Sequence, residues 1–411
     1  MHSVQENFST AEKISPNRYV IIGLKAKGRS SGRPACNTYT GEGLKMQFKF
    51  HMPVKAYFGE GCISKNGSEL SKYGHKAIIV TGGRSAKLSG ALSDICAVFE
   101  QHNIEYIIYD KVRNNPTLDN VREGGAMARQ SGAGFVVGIG GGSPLDAAKA
   151  VAVLAVNDIE PEQLFTNDFK NRPLPIIAIP TTAGTGSEVT PYSILTRTDK
   201  QTKISFGTPE TFPAIAFLDP HYTESQPLDV TVNTAVDALS HSMEGYLGKR
   251  RTEATDILAR EGIRLFGSCL ECLRSGNISL KTREELLYAS MLGGMVISHT
   301  GTTIVHGIGY NYTYFRDIPH GKANGYLMSE YLRFNYEYAK DRTDDILALM
   351  GLASVDELDA VLTELIGQAP VLTDEEISRY AAITMTQRST ATNIRPVEAK
   401  DIEGMLKRLQ K

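Results

Sequence analysis

A change of periodicity part-way along the chain constrains the fold more than any other feature. Apolar, β-rich runs at residues 77–81, 106–109, 135–139 and 176–179 alternate with segments of helical period at 86–102 and 118–130. Strands that are apolar on successive residues are buried on both faces, and strands separated by helices close into a parallel sheet. After Asp219-Pro220 the chain becomes a series of long amphipathic stretches rich in Leu, Met, Ala and Glu. The pattern predicts an α/β domain over residues 46–222 and an all-helical domain over residues 223–411. A length of 411 residues agrees with two domains and a cleft between them.

Residues 1–45 differ from the rest. Lys13, Arg18, Lys25, Lys27, Arg29, Arg33 and Lys45 outnumber Glu6, Glu12 and Glu42, and residues 25–34 are rich in Gly, Ser and Arg. The apolar stretch at 19–24 is too short for a secretory core, and the glutamates do not suit a transit peptide. The segment reads as a poorly ordered, non-catalytic extension, with Met46 as an alternative start. From Met46 to Gly59 apolar and polar residues alternate, which predicts a half-buried strand or hairpin.

Composition removes several classes of function. The net charge is -2 with Lys and Arg scattered, so the field that draws nucleic acid to a surface is missing. No apolar run approaches the roughly 18–20 residues that cross a bilayer. Five cysteines at irregular spacing suit reduced thiols in the cytoplasm, not a disulfide framework. Cys269 and Cys272 form a lone C-x-x-C inside an amphipathic stretch and read as packing residues, because a zinc site would need a second pair.

The segment Phe135-Val-Val-Gly-Ile-Gly-Gly-Gly-Ser-Pro-Leu-Asp-Ala-Ala-Lys149 predicts a strand, a glycine turn and a helix with Ser143 as N-cap and Pro144 in the first turn. Glycines there let a pyrophosphate approach the backbone, and the helix N-terminus favours its charge. Ser143 occupies the third glycine position of G-x-G-x-x-G, so an ordinary Rossmann fingerprint is not met, and a plain tight turn is the competing reading. A second loop, Ile179-Pro-Thr-Thr-Ala-Gly-Thr-Gly-Ser-Glu-Val-Thr-Pro191, places Thr181, Thr182, Thr185 and Ser187 around two glycines, a density of hydroxyls that suits a polar ligand. After the first strand stands Gly82-Gly83-Arg84-Ser85, with no carboxylate for an adenosine 2′-hydroxyl. Arg84 and Lys87 are suited instead to a 2′-phosphate, which favours NADP over NAD.

In the helical half, Asp237 and His241 are four apart and share one helix face, a spacing that serves metal ligands and ordinary salt bridges alike. His306 and His320 follow, each beside a glycine. One carboxylate and three neutral imidazoles would cancel half the charge of a divalent ion and leave about +1 for an alkoxide. His299 is the nearby competitor, readable as a packing residue or as pocket lining.

The strings Gly-Gly-Gly-Ser-Pro-Leu-Asp-Ala-Ala-Lys, Pro-Thr-Thr-Ala-Gly-Thr-Gly-Ser-Glu-Val-Thr-Pro, Val-Asp-Ala-Leu-Ser-His-Ser-Met-Glu and Pro-His-Gly together resemble the iron-dependent alcohol dehydrogenases, over roughly residues 46–331. The resemblance implies a dehydroquinate-synthase-like fold and hydride transfer between NAD(P) and a small primary alcohol or aldehyde. It implies Asp237, His241, His306 and His320 as metal ligands and, through the metal, as the catalytic set. Gly83, Arg84, Ser85, Asn115, Gly141, Gly142, Ser143, Asp146, Thr181, Thr182, Thr185 and Lys203 are the implied cofactor-binding residues. Fe(II) is named from the resemblance alone, since a nitrogen–oxygen site generally binds Zn more tightly. Many members carry a histidine four residues past the third ligand, where this chain has Tyr310, so the proton relay is left unassigned. Tyr310 and the Gly-Gly-Arg-Ser segment resemble members that use NADPH on short diols and butanol.

Two rival readings are open. A sister enzyme of the same fold, such as a zinc glycerol dehydrogenase or a sugar-phosphate synthase, is one; the synthase would need a basic cluster that residues 306–322 do not supply. A catalytically silent dinucleotide-binding protein is the other, against which the intact ligand set argues. Small-molecule substrates, no nucleic acid, no membrane and a homo-oligomer such as a dimer complete the expectation.

Overall fold

The computed structural model describes residues 47–410, so the extension expected at residues 1–45 lies outside the described residues. The elements run β1 Lys55–Phe58, α1 Cys62–Asn66, β2 Lys76–Gly82, α2 Ser85–Leu88, α3 Ala91–Gln101, β3 Glu105–Val112, α4 Leu118–Ser131, β4 Phe135–Gly140, α5 Gly142–Leu154 and β5 Ile176–Pro180. A hairpin of β6 Ser193–Arg197 and β7 Thr202–Phe206 follows, then β8 Ile215–Leu218. Nine helices complete the described chain: α6 Leu228–Leu247, α7 Glu253–Ser275, α8 Leu280–Thr300, α9 Ile304–Arg316, α10 His320–Asn335, α11 Lys340–Met350, α12 Val355–Ile366, α13 Asp374–Met385 and α14 Ala399–Arg408.

Six strands form one sheet in the order β1-β8-β5-β4-β2-β3, every neighbouring pair parallel. Successive side chains of a strand point to opposite faces. Ile79, Val137 and Ile179 accordingly join Ile95 and Phe99 of α3 on one side. Ile78, Val80 and Val136 meet Val121 of α4 and Val151 of α5 on the other. Both faces are covered, which explains why these strands read as unbroken apolar runs. The core of the helical half reaches the sheet as well, since Ala216 and Leu218 of β8 pack with Val232, Val236 and Leu239 of α6.

Several local expectations change. The alternation from Met46 to Gly59 yields a strand only at Lys55–Phe58, because β8, its one partner in the sheet, spans only Ile215–Leu218. The helical stretch at 86–102 is broken into α2 and α3 at Gly90, whose φ of 85° no helix continues. The N-cap of α5 is Gly141, not Ser143; Ser143 sits within the helix, and its Oγ accepts the Asn115 N–H at 3.2 Å. Among the described residues no helix is long and apolar enough to cross a membrane.

Candidate metal centre and dinucleotide cleft

β2 is the strand from which the chain departs in opposite directions, with β3 on one side and β4 on the other. In open α/β sheets ligands bind outside the carboxyl ends of strands at such a reversal. The loop after β2, carrying Gly83, Arg84 and Ser85, and the turn after β4, carrying Gly141, Gly142 and Ser143, lie side by side there, since β2 and β4 are paired. Gly141, Gly142 and Ser143 are half-buried, as are Thr182 and Thr185 in the loop after β5. A Cβ on Gly142 would lie 2.7 Å from Thr185 Cγ2, so only glycine lets the threonine loop close over the start of α5. Thr181 is buried with its hydroxyl unpartnered.

Asp146 is placed differently from the other expected cofactor residues. Its carboxylate is buried and occupied, accepting Ser187 Oγ at 2.6 Å and the Ile194 N–H at 3.1 Å. The neighbouring Lys149 is fully buried, and its ammonium donates to Ser187 Oγ at 2.7 Å and to the Tyr192 carbonyl at 2.6 Å. Burial pushes the Lys149 pKa down to about 8. These two side chains tie α5 to the threonine loop, a task for which Lys149 gave no sign in the sequence. Arg84 is exposed and forms no ion pair among the described residues, whereas Lys87 lies 3.5 Å from Asp110.

The metal candidates come from three helices. Asp237 and His241 lie in the middle of α6, His306 in the first turn of α9, and His320 at the first position of α10. A Cβ at Gly321 would overlap the Asn233 carbonyl oxygen, so glycine lets the start of α10 rest directly on α6. Ligand atoms of Asp237, His241 and His306, all buried, fall within 4.8 Å of one another. His320, half-buried, stands beside that trio: its Nε2 is 3.9 Å from Asp237 Oδ1, the same distance that separates His306 Nε2 from that oxygen. Metal–ligand bonds of about 2.1 Å can bridge donors up to about 4.2 Å apart, so the two 3.9 Å separations from Asp237 Oδ1 are within the span of one ion.

The charges of two rings also fit, whereas at His306 burial is outweighed by the carboxylates of Glu244 and Asp237, which raise the pKa above the ordinary imidazole value. Burial holds His241 below the ordinary imidazole value and His320 well below it, which keeps both rings neutral, the form that ligates. His306 Nδ1 faces the fully buried carboxylate of Glu244. Asn324 Nδ2 donates to Asp237 Oδ1 at 3.0 Å and lies 3.3 Å from the Nε2 atoms of both His306 and His320. Neither Glu244 nor Asn324 was singled out in the sequence. The signal was spacing: Glu244 is seven residues beyond Asp237 and three beyond His241, and Asn324 is four beyond His320.

Lys203 bridges the two regions. Buried on β7, its ammonium donates to Asn115 Oδ1 at 3.1 Å and lies 5.6 Å from the centre of the Tyr310 ring. Burial lowers its pKa from the usual lysine value. His299 is not part of the cluster; its ring stacks on Phe50, and its Nε2 accepts the His51 N–H. Cys269 is buried with its thiol pushed up to about 12 by burial, and Cys272 is half-buried, so the pair reads as packing.

Comparison with known proteins identifies the family of the chain. Residues 53–220 match the family model described as iron-containing alcohol dehydrogenase, and residues 231–410 match the C-terminal model of the Fe-containing alcohol dehydrogenase family. The 1,3-propanediol dehydrogenase of Klebsiella pneumoniae is 33% identical over 318 residues, 76% of this chain and 82% of its own. The lactaldehyde reductase of Escherichia coli K12 is 30% identical over 369 residues, 84% of this chain and 95% of its own. The crystal structure of an iron-containing alcohol dehydrogenase from Thermotoga maritima superposes with a TM-score of 0.83 at 35% identity, covering 89% of this chain and 99% of that one. With both halves of the chain matched and the donor cluster assembled beside the glycine–threonine cleft, this chain belongs to the iron-containing alcohol dehydrogenase family.

Proposed function

We propose that this chain reduces small aldehydes to primary alcohols with NADPH, using a divalent ion held by Asp237, His241, His306 and His320. The family assignment makes it an NAD(P)-dependent alcohol/aldehyde oxidoreductase of the iron type. The observation that supports the site reading is the convergence of Asp237, His241 and His306 from α6 and α9, with His320 of α10 placed 3.9 Å from Asp237 Oδ1. Fe(II) follows the family name, with Zn(II) as the alternative that the same donors accept. The ion supplies Lewis acidity toward the substrate oxygen.

The chain's own residues supply position. Gly141, Gly142 and the first turn of α5 offer unpaired amides to a pyrophosphate. Asn115 and Lys203 sit between that turn and the metal cluster, where the nicotinamide ribose would lie. Arg84 supports a preference for NADP, since its guanidinium is exposed beside the crevice and free to take a 2′-phosphate. One curated relative, from Bacillus methanolicus, is named an NAD-dependent methanol dehydrogenase, so cofactor choice varies among the relatives. We place the domain boundary near Tyr222, between β8 and α6.

Anaerobic purification with metal analysis, followed by a panel of short aldehydes assayed with NADPH and NADH, tests the proposal. One Fe or Zn per chain and faster reduction with NADPH are expected. A chain that retains metal yet turns over no aldehyde with either cofactor would overturn it.

A further inference from the structure

We propose that Glu244 is a positioning residue that fixes the tautomer of His306 and so makes the Asp237 cluster competent to bind metal. The proposal rests on the metal reading of that cluster. Two faces of the Glu244 carboxylate do different work. Oε1 accepts the Thr303 N–H at 2.8 Å, the Thr303 hydroxyl at 2.6 Å, the Val305 N–H at 3.1 Å and the His306 N–H at 3.4 Å. These are the unpaired donors at the start of α9, and an anion is favoured there by the helix dipole. A carboxylate so surrounded by donors is ionised and can only accept. Oε2 faces His306 Nδ1, so the ring proton must reside on Nδ1. The lone pair is then on Nε2, the atom 3.9 Å from Asp237 Oδ1. One side chain of α6 thus caps α9 and orients the imidazole that α9 carries.

Glu244→Gln separates the two tasks. The amide oxygen would stay with the four donors at the start of α9, three of them backbone N–H groups that can accept nothing, and the amide NH2 would turn toward His306 Nδ1. The ring would have to accept there, moving its proton to Nε2 and closing the lone pair that ligates. Metal affinity is therefore expected to fall by about 10–100-fold, the usual cost of losing such an outer partner.

The test is a titration of metal-free protein with Co(II), read by calorimetry and visible absorption, on wild type, Glu244→Gln and Thr303→Val. The expected result is weakened Co(II) binding in Glu244→Gln with an unchanged far-UV spectrum and unchanged NADPH binding. Thr303→Val, which removes one cap donor without touching Nδ1, should melt earlier yet bind Co(II) like wild type. Wild-type affinity in Glu244→Gln would overturn the proposal and leave the metal reading standing, whereas wild type that binds no Co(II) overturns both. Ring 15N shifts of unmutated metal-free protein test the tautomer without any variant: a His306 ring whose Nδ1 carries no proton would also overturn it.

Discussion

Tyr310 lies flat against His320, the ring centroids 5.2 Å apart and the planes only 13° from parallel. The phenol therefore forms one wall of the Asp237 cluster, against His306 as well as His320. Burial first, then the charges of Asp237, Asp146 and Glu244, raise its pKa above the ordinary tyrosine value. At neutral pH the hydroxyl keeps its proton and cannot act as a base. Tyr310→Phe is accordingly expected to leave the pH dependence of kcat unchanged, with any effect confined to KM. A loss approaching the ~100-fold that a general acid–base group supplies, or disappearance of one limb of the profile, would show that Tyr310 moves a proton.

Asp237 is the sole carboxylate among the four proposed ligands, and it alone would lower the charge of a bound ion. Asp237→Ala should lose metal on dialysis, with affinity falling by more than the ~100-fold seen for outer partners, and activity should fall with it. Metal content per chain checks this. Full metal and full activity in the variant would mean that the cluster is not the metal site.

Arg84 carries the expectation about cofactor choice. A charge-assisted hydrogen bond is worth about 1.5–3 kcal/mol, so Arg84→Ala should raise KM for NADPH by about tenfold or more while leaving KM for NADH in place. Equal effects on both cofactors would assign the 2′-phosphate elsewhere.

Gly142 tests the cleft. Its Cβ would sit 2.7 Å from Thr185 Cγ2, and the cost of such overpacking, about 1–3 kcal/mol, would displace the threonine loop from the start of α5. Gly142→Ala should weaken NADPH binding by about tenfold or more, measured by quenching or transfer of nucleotide fluorescence, with metal content unchanged. Unaltered nucleotide affinity would place the pyrophosphate away from this turn.

Glu188 gives a pH dependence with a definite sign. It is buried within the threonine loop with Oε1 unpartnered, and burial raises its pKa to about 7 from an ordinary value of 4.5. The unfolded chain releases this proton near pH 4.5 and the folded chain only near pH 7, so the folded state binds more protons in between. Its contribution to stability is therefore present below about pH 4.5 and is lost as pH rises to about 7. Glu188→Gln removes that loss, so its stability relative to wild type should grow over this window by up to about 3 kcal/mol. Denaturation midpoints at pH 5 and pH 7.5 decide it; a constant difference between the two proteins would show that Glu188 is ionised throughout.

Much of the local architecture is legible without coordinates, because it depends on neighbours in the chain. The apolar runs of β2 to β5 and the helical period of α4 follow from side-chain periodicity alone. So does the shared face of Asp237 and His241, since four residues on one helix must lie together. The β6–β7 hairpin and β8 were not anticipated: Ser, Thr, Lys and Arg break up the apolar residues of the hairpin strands, and β8 is an apolar run of only four residues.

Other features depend on groups far apart in sequence, which no local pattern encodes. The strand order that puts β2 beside β4 and opens the crevice is one. The approach of α9 and α10 to α6, which brings His306 and His320 to within 3.9 Å of an oxygen on Asp237, is another. Residue types therefore nominated the donors, but packing of the helices decided that they meet. Only that packing set Glu244 behind His306 and Asn324 beside Asp237, because a hydrogen bond is specified by distance and direction in space, not by spacing along the chain.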